Sequence, residues 1–323
     1  MLGRVAGKIH DERQDLSVAP PLIDVTGLRS PHLSDRLDVA GAIGNACRGM
    51  GFFYVSGHAF DSVLIDAMFD ATRRFFALPL KTKRALARDR IGDNRGFVDL
   101  EEERLDLNSL PDRKEAFNIG LELPAGHPGR AGRHLGENAW PDLPGWRELM
   151  LNYYGRCLEL GRLLHHAFSL DLGIAEDFFD SRLDCPMATL RLLHYPAQAQ
   201  NGAGMGAGTH TDYGNLTLLI GNGVSGLQIR PRNGDWVDAP HIPGAFICNI
   251  GDCLMRWSND IYVSTPHRVL PPVQERYSIA FFLDPNADAV VKPIIGQSSM
   301  VPKYPPITGA AFLESRLNPT YAK

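Results

Sequence analysis

Among the eleven histidines of the chain, only His10 and His210 open a His-x-acid triplet, and His10 falls in a charged N-terminal stretch where solvation is the default role. In Thr209-His210-Thr211-Asp212-Tyr213, residues two apart on extended backbone project to the same side. An imidazole and a carboxylate can therefore reach one cation from adjacent positions. The triplet alone is weak evidence, because chance supplies about one in a chain of this histidine content. His267, in Ser264-Thr265-Pro266-His267-Arg268-Val269, opens a predicted strand and adds a second imidazole. Two histidines and one carboxylate leave one face of an octahedral iron open, as chemistry with O2 and a co-substrate requires. Zinc more often takes a third nitrogen or sulfur ligand.

One hairpin further on, Arg276 and Ser278 form an Arg-x-Ser pair on one face of the following strand. A guanidinium grips a carboxylate bidentately, and the hydroxyl adds a third hydrogen bond. Taken alone, a strand arginine pairs with a surface carboxylate. Beside a ligand histidine, it stands where the free end of a metal-chelated dicarboxylate would fall, as 2-oxoglutarate requires.

The elements that must position these groups are readable in outline. Residues 20–25 read as a short strand fixed by Pro20 and Pro21, and residues 51–55 as another. Ser34 can cap a helix reaching Met50, with Leu37, Ala40, Ile43 and Cys47 on its apolar face and Gly49 or Gly51 to close it. Asp61 or Ser62 caps a second helix that runs to Phe76 and is stopped by Pro79. Residues 81–139 are charged and broken by Gly and Pro, and read as a surface loop or lid. Pro144 opens a long third helix towards Leu172; its adjacent His165 and His166 point to different faces, which favours packing or surface roles over ligation.

From Met187 to about Val301, short β-branched and aromatic runs alternate with Gly, Pro and Asn turns, as in residues 188–195, 215–220, 245–250 and 277–283. Closely spaced antiparallel strands of a jelly roll or barrel have this texture. If Arg276 and Ser278 face a pocket, Ala280 and Phe282 share their side and Phe281 belongs to the core. Asn249-Ile250-Gly251-Asp252 reads as a strand ending in a turn, its polar side chains bonding to nearby backbone in support of the fold. The expected fold is α+β with a mainly β core: a double-stranded β-helix (jelly roll) with a helical N-terminal region packed around it. Its expected parts are a flexible tail (1–16), the N-terminal region (17–185), the jelly-roll core (186–302) and a C-terminal helix and tail (303–323), the helix near residues 310–317.

The 323 residues are 44% hydrophobic and 22% charged, a globular balance with material for a real core. With 33 basic and 37 acidic residues, the net charge of -4 gives no reason to expect nucleic acid or an anionic membrane as partner. Cys47, Cys157, Cys185, Cys248 and Cys253 form no C-x-x-C pair and read as free thiols. No signal-peptide core or membrane-length apolar run is evident, so a cytoplasmic protein acting on a small molecule is expected.

With these residues in place, the sequence resembles the isopenicillin N synthase-like family of Fe(II)/2-oxoglutarate dioxygenases from about residue 21 to 283. The resemblance rests on Pro21-Leu22-Ile23-Asp24, Ala46-Cys47-Arg48-Gly49-Met50-Gly51-Phe52-Phe53, Asp112-Arg113-Lys114-Glu115-Ala116-Phe117 and Leu192-Leu193-His194-Tyr195-Pro196. Its most specific stretches are His210-Thr211-Asp212-Tyr213-Gly214, Asn249-Ile250-Gly251-Asp252, Arg256-Trp257-Ser258-Asn259 and His267-Arg268-Val269 followed by Arg276-Tyr277-Ser278.

The resemblance implies Fe(II) held by His210, Asp212 and His267, 2-oxoglutarate held at its distal carboxylate by Arg276 and Ser278, a further hydroxyl from Tyr195, and O2 as oxidant. Leu193 stands where plant members often carry Asn, and Gly57-His58-Ala59 replaces their Asn-His-Gly, with His58 read as structural. The implied reaction couples decarboxylation of 2-oxoglutarate to succinate and CO2 with hydroxylation, desaturation or cyclisation of a small metabolite. Two other readings stay open: an Fe(II) oxidase needing no 2-oxoglutarate, and a non-catalytic jelly roll that binds a small acid. Substrate choice is expected from residues 91–110 and the N-terminal helices; Arg104, Arg113, Lys114 and Arg191 could meet an acidic substrate but read as surface charges. Nothing in the sequence indicates the oligomeric state.

Overall fold

A computed structural model describes residues 19–91, 94–124, 126–127, 135–198, 204–232, 234–294 and 301–320; the expected tail, 1–16, lies outside the described residues. The chain runs β1 (Leu22–Asp24), α1 (Leu33–Gly49), β2 (Phe52–Ser56), α2 (Ser62–Phe76), α3 (Leu80–Ala85), α4 (Arg88–Ile91), β3 (Gly96–Val98), β4 (Glu115–Gly120) and α5 (Trp146–Asp171). It continues through β5 (Thr189–Tyr195), β6 (Ala207–His210), β7 (Leu216–Gly221), β8 (Leu227–Ile229), β9 (Val237–Asp238), β10 (Phe246–Ile250) and α6 (Asp252–Trp257). The last elements are β11 (His267–Val269), β12 (Arg276–Leu283), β13 (Val290–Val291), β14 (Ile307–Thr308) and α7 (Gly309–Thr320).

Two sheets form the jelly roll. The larger has the order β1-β2-β10-β7-β12-β5-β4-β3 and faces the smaller, β6-β11-β8-β9, while β13 and β14 pair separately. All neighbours are antiparallel except β1 with β2. Alternation along the large sheet sends its side chains into two separate cores. Phe53, Val55, Leu190, Leu192, Leu218, Ile279 and Phe281 join helices α1, α2 and α5 in the outer core. Phe52, Tyr54, Leu193, Tyr195, Ile247 and Ala280 meet Ala207, Leu227, Ile229 and Val269 of the small sheet in the inner one.

The helices are fastened where they meet the strands. Helix α2 begins at Asp61, whose carboxylate accepts from the Val63 amide at 2.9 Å, as expected of an N-cap. Helix α1 differs from expectation: it starts one residue before Ser34, His32 is its N-cap, and Ser34 bonds to Asp35. Its end is at Gly51, which has φ +71° and donates to the Ala46 carbonyl at 2.9 Å, a left-handed termination that Gly tolerates. Helix α5 approaches β12 at Gly161, where an added Cβ would lie 2.5 Å from Leu283. Its His165 is buried and bonded to Gly161 and Asn215, while His166 pairs at the surface with Asp180, so neither is near the other's partners.

The reading of residues 81–139 as surface loop is overturned. Strands β3 and β4 belong to the large sheet, and all six residues of β4 are buried. The charges that suggested exposure are neutralised inside the protein: Glu115 pairs with Lys83 at 2.6 Å, and Lys114 pairs with Asp112 at 2.6 Å and Glu103 at 3.2 Å. The expected run of strands from 187 to 301 is also interrupted, by the short helix α6.

Candidate active site

β6 and β11 are neighbours in the small sheet, with His210 directly opposite His267 and their ring centroids 4.2 Å apart. Each ring is tethered to its own strand, His210 Nδ1 donating to the Gly208 carbonyl at 2.7 Å and His267 Nδ1 to that of Thr265 at 3.2 Å. A carbonyl can only accept, so Nδ1 of each ring carries a proton and Nε2 is the atom turned towards Asp212. Asp212 Oδ1 lies 3.8 Å from His210 Nε2 and 3.6 Å from His267 Nε2. One ligand atom from each of the three falls within 4.8 Å of the others, a grouping that could hold a metal ion.

The surroundings prepare this donor set for a cation. Burial, helped by the neighbouring His267, brings the pKa of His210 down to about 3, so its imidazole is neutral. Burial works against ionisation of Asp212, but His267 and His210, with hydrogen bonds from Thr217 and Asn249, overcome it and hold the carboxyl below its ordinary range. Both bonds fall on Oδ2, from Thr217 Oγ1 and from Asn249 Nδ2 at 2.7 Å, leaving Oδ1 turned to the imidazoles. Asn249 therefore serves a side chain 37 residues away rather than the nearby backbone expected of it. Asp252 likewise accepts from Thr211 Oγ1 at 3.2 Å and pairs with Arg316 of α7 at 3.1 Å, while its amide donates to the Asp212 carbonyl at 2.8 Å. A set of two imidazoles and one carboxylate, with hydrogen-bond partners holding each in place, suits Fe(II).

A single chamber between the sheets contains this cluster together with Arg276, Ser278 and Tyr195. Arg276 is buried; its Nη1 lies 3.4 Å from Ser278 Oγ and its guanidinium 4.6 Å above the Tyr195 ring. Among the described residues no acidic side chain pairs with it, and its Nε has no hydrogen-bond partner. Tyr195 stands opposite Arg276 in the β5–β12 register, so the contribution seen is its ring face. Phe282 lines the chamber while Phe281 packs edge-on to Tyr154 in the outer core, as alternation requires.

The charged residues read as surface groups divide. Arg104 is exposed and Arg113 is half-buried beside Glu101, but Lys114 is buried in the chamber wall and Arg191 is bonded there to Glu103. Sequence reasoning missed Arg95, a fully buried arginine lying over Gly120, and Asp284, a buried carboxyl at the end of β12; both line the chamber. The alternation that placed Phe282 inside would also have reached Asp284, two residues further along.

With this geometry in view, residues 20–143 match the family described as non-haem dioxygenase in morphine synthesis N-terminal, and residues 186–285 match the 2OG-Fe(II) oxygenase superfamily. The chain is 35% identical to the 2-oxoglutarate-Fe(II) type oxidoreductase hxnY of Emericella nidulans, covering 94% of this chain and 91% of that one. It is 37% identical to homoarginine-6-hydroxylase 2-ODD-C23.1 of Arabidopsis thaliana over 85% of this chain and 87% of the relative. Its fold superposes with a TM-score of 0.83 on the crystal structure of a full-length Neurospora crassa protein in complex with α-KG (2-oxoglutarate) and thymine, at 32% identity and over 93% and 96% of the two chains.

The chain belongs to the 2OG-Fe(II) oxygenase superfamily. It is a 2-oxoglutarate-dependent non-haem iron dioxygenase that uses Fe(II) as cofactor and 2-oxoglutarate and O2 as co-substrates to act on a small molecule. Among the described residues, no helix is long and apolar enough to cross a membrane.

Proposed function

We propose that His210, Asp212 and His267 hold the Fe(II), that Arg276 and Ser278 receive the distal carboxylate of 2-oxoglutarate, and that a small organic substrate is hydroxylated on the other side of the cluster. Arg276 carries this reading. A buried guanidinium without an acid is costly, and a dicarboxylate anchored at the cluster supplies the missing charge at the right end of the chamber. The ring of Tyr195 adds a cation–π contact that keeps the guanidinium flat against the wall.

Bound iron would supply O2 activation, so that 2-oxoglutarate gives succinate and CO2 while one oxygen atom enters a substrate C–H bond. The chain's own residues supply the setting. Backbone carbonyls of Gly208 and Thr265 fix both imidazoles, and Thr217 and Asn249 fix Asp212. Leu193, Ala207, Leu227 and Val269 line the chamber with apolar surface that excludes water. Leu313 and Leu317 of α7 line the same chamber, bringing the last helix of the described chain to the site. The names of the relatives, which mention thymine and homoarginine, support a substrate of comparable size.

The test is anaerobic titration of 2-oxoglutarate into the Fe(II)-loaded protein, followed by the visible charge-transfer band of a keto-acid chelate. Arg276→Ala should raise the 2-oxoglutarate concentration at half-saturation on the order of 100-fold, the effect of losing a bidentate charged pair. Arg276→Lys should recover part of that loss. Unchanged half-saturation in Arg276→Ala would remove the anchor assignment, and failure of the wild type to bind iron would remove the ligand assignment.

A further inference from the structure

Six acidic residues are buried among the described residues: Glu103, Asp112, Glu115, Asp212, Asp252 and Asp284. Five of them have donors. Glu103 receives Lys114 and Arg191; Asp112 receives Lys114 and the Gly208 amide; Glu115 receives Lys83 and His194. Asp212 receives Thr217 and Asn249, and Asp252 receives Thr211 and Arg316. Asp284 is the exception, since no hydrogen bond or ion pair from the described residues reaches its carboxyl. Burial, with the charge of Asp212, brings its pKa up to about 7, the mark of a carboxyl given no donor.

Its position gives the unused acceptor a purpose. Arg276, Ser278, Ala280, Phe282 and Asp284 alternate along one face of β12 and its C-terminal extension, and all line the chamber. Eight residues of strand separate Arg276 from Asp284, roughly 27 Å of backbone. The face thus begins at the proposed dicarboxylate anchor and ends at a lone carboxyl beside the loop that follows Asp212. Asp284 packs closely on the loop after Asp212, its Oδ1 only 2.7 Å from where a Cβ on Gly214 would sit. Across the same end, on the neighbouring strands, Thr189 pairs with Phe282 and with Gly120, and Arg95 lies over Gly120. Met187, Phe282, Leu313 and Leu317 complete the lining with apolar surface.

We propose that Asp284 is the acceptor for an N–H donor of the substrate, and that the enzyme therefore takes small nitrogenous molecules (amides, imides or amino acids). This rests on the reading that 2-oxoglutarate occupies the Arg276 end, which leaves the Asp284 end for substrate. A purely hydrocarbon acid would leave the carboxyl buried and unsatisfied, and would bring a second negative charge towards it.

The experiment is calorimetric titration of the anaerobic Fe(II)-loaded protein, with and without saturating 2-oxoglutarate, using thymine, L-homoarginine, phenylacetate and cyclohexanecarboxylate as probes. At least one of the two N–H probes should bind, and both N-free acids should bind at least tenfold more weakly. Asp284→Ala should weaken the bound N–H probe on the order of 10- to 100-fold and Asp284→Asn by less, while the 2-oxoglutarate affinity changes less than about twofold. The melting temperature without probe should not fall in Asp284→Ala, since the carboxyl makes no contact that folding needs. Binding of neither N–H probe, equal binding of the N-free acids, an affinity indifferent to Asp284→Ala, or a large loss of stability in that variant would each overturn the proposal. If 2-oxoglutarate itself fails to bind the wild type, the reading of the Arg276 end fails, and the titrations without it still judge Asp284.

Discussion

Asn249 offers the sharpest test of how Asp212, the proposed carboxylate ligand, is held. Its amide donates to Asp212 Oδ2 at 2.7 Å in a buried setting, and Thr217 donates to the same oxygen. Asn249→Ala removes one charge-assisted hydrogen bond, a contribution of about 1.5–3 kcal/mol. Two consequences pull in opposite directions. A carboxylate with one donor fewer is less well solvated and gains more from a cation, but it also turns more freely and protonates more readily. Orientation should win, because the loss of such outer partners usually weakens metal binding by roughly 10- to 100-fold. The assay is competition of Fe(II), or of Mn(II) as an air-stable substitute, between the protein and a chelator of known affinity, with a melting curve to confirm folding. Thr217→Val, close to isosteric, should act in the same direction. The 2-oxoglutarate half-saturation measured at saturating metal should stay within about threefold, since neither residue is expected to touch the anchor. A folded Asn249→Ala protein whose metal affinity is unchanged or higher would mean that the strand alone aims Asp212 and that the two donors merely solvate a charge.

Three further outcomes are expected. Phe281→Ala should destabilise the protein by about 3–5 kcal/mol because Phe281 packs on Tyr154 in the outer core; Phe282→Ala should leave the denaturant midpoint nearly unchanged and instead lower the coupling of succinate release to product formation. His194 is held between Glu115 and Glu275 and stacks on Tyr277; burial alone would lower its pKa, but the two carboxylates raise it above 6.5. That contribution is fully present below pH 6.5 and is lost as pH rises through the folded value, so urea midpoints should fall from pH 6 to pH 9 more in the wild type than in His194→Gln. Gly120→Ala places a Cβ 1.7 Å from the Arg95 guanidinium carbon and must displace it, so steady-state kinetics should show a rise in KM for substrate well beyond any change in KM for 2-oxoglutarate.

The parts of the molecule that were legible in the sequence are those governed by local periodicity. Extended backbone alternates sides, so His210 and Asp212, Arg276 and Ser278, and Phe281 against Phe282 could be sorted from their spacing alone. Helices α2 and α5 announced themselves by a capping Asp61 and by long apolar faces. What escaped was set by partners remote in sequence. β4 carries Glu115 and follows Lys114, and only the meeting with Lys83, Asp112 and Glu103 turns those charges into interior groups. The partner of Asn249 is 37 residues away, and Arg95 reaches its place through a close approach to Gly120 that no local pattern encodes.

The large sheet divides two cores, and this has a consequence for how the enzyme can change. On β5, β7, β10 and β12, residues such as Leu192, Leu218, Cys248 and Ile279 belong to the helical side, while their immediate neighbours Leu193, Leu219, Asn249 and Ala280 face the chamber. Adjacent codons thus answer to different demands, one for packing against the helices and the next for shaping the chamber. Mutational exploration of substrate range can proceed at partly buried chamber-facing positions such as Leu219 and Phe282, which lie outside the helical core. A library confined to the chamber-facing set should retain far more folded members than one of equal size drawn from the alternate set.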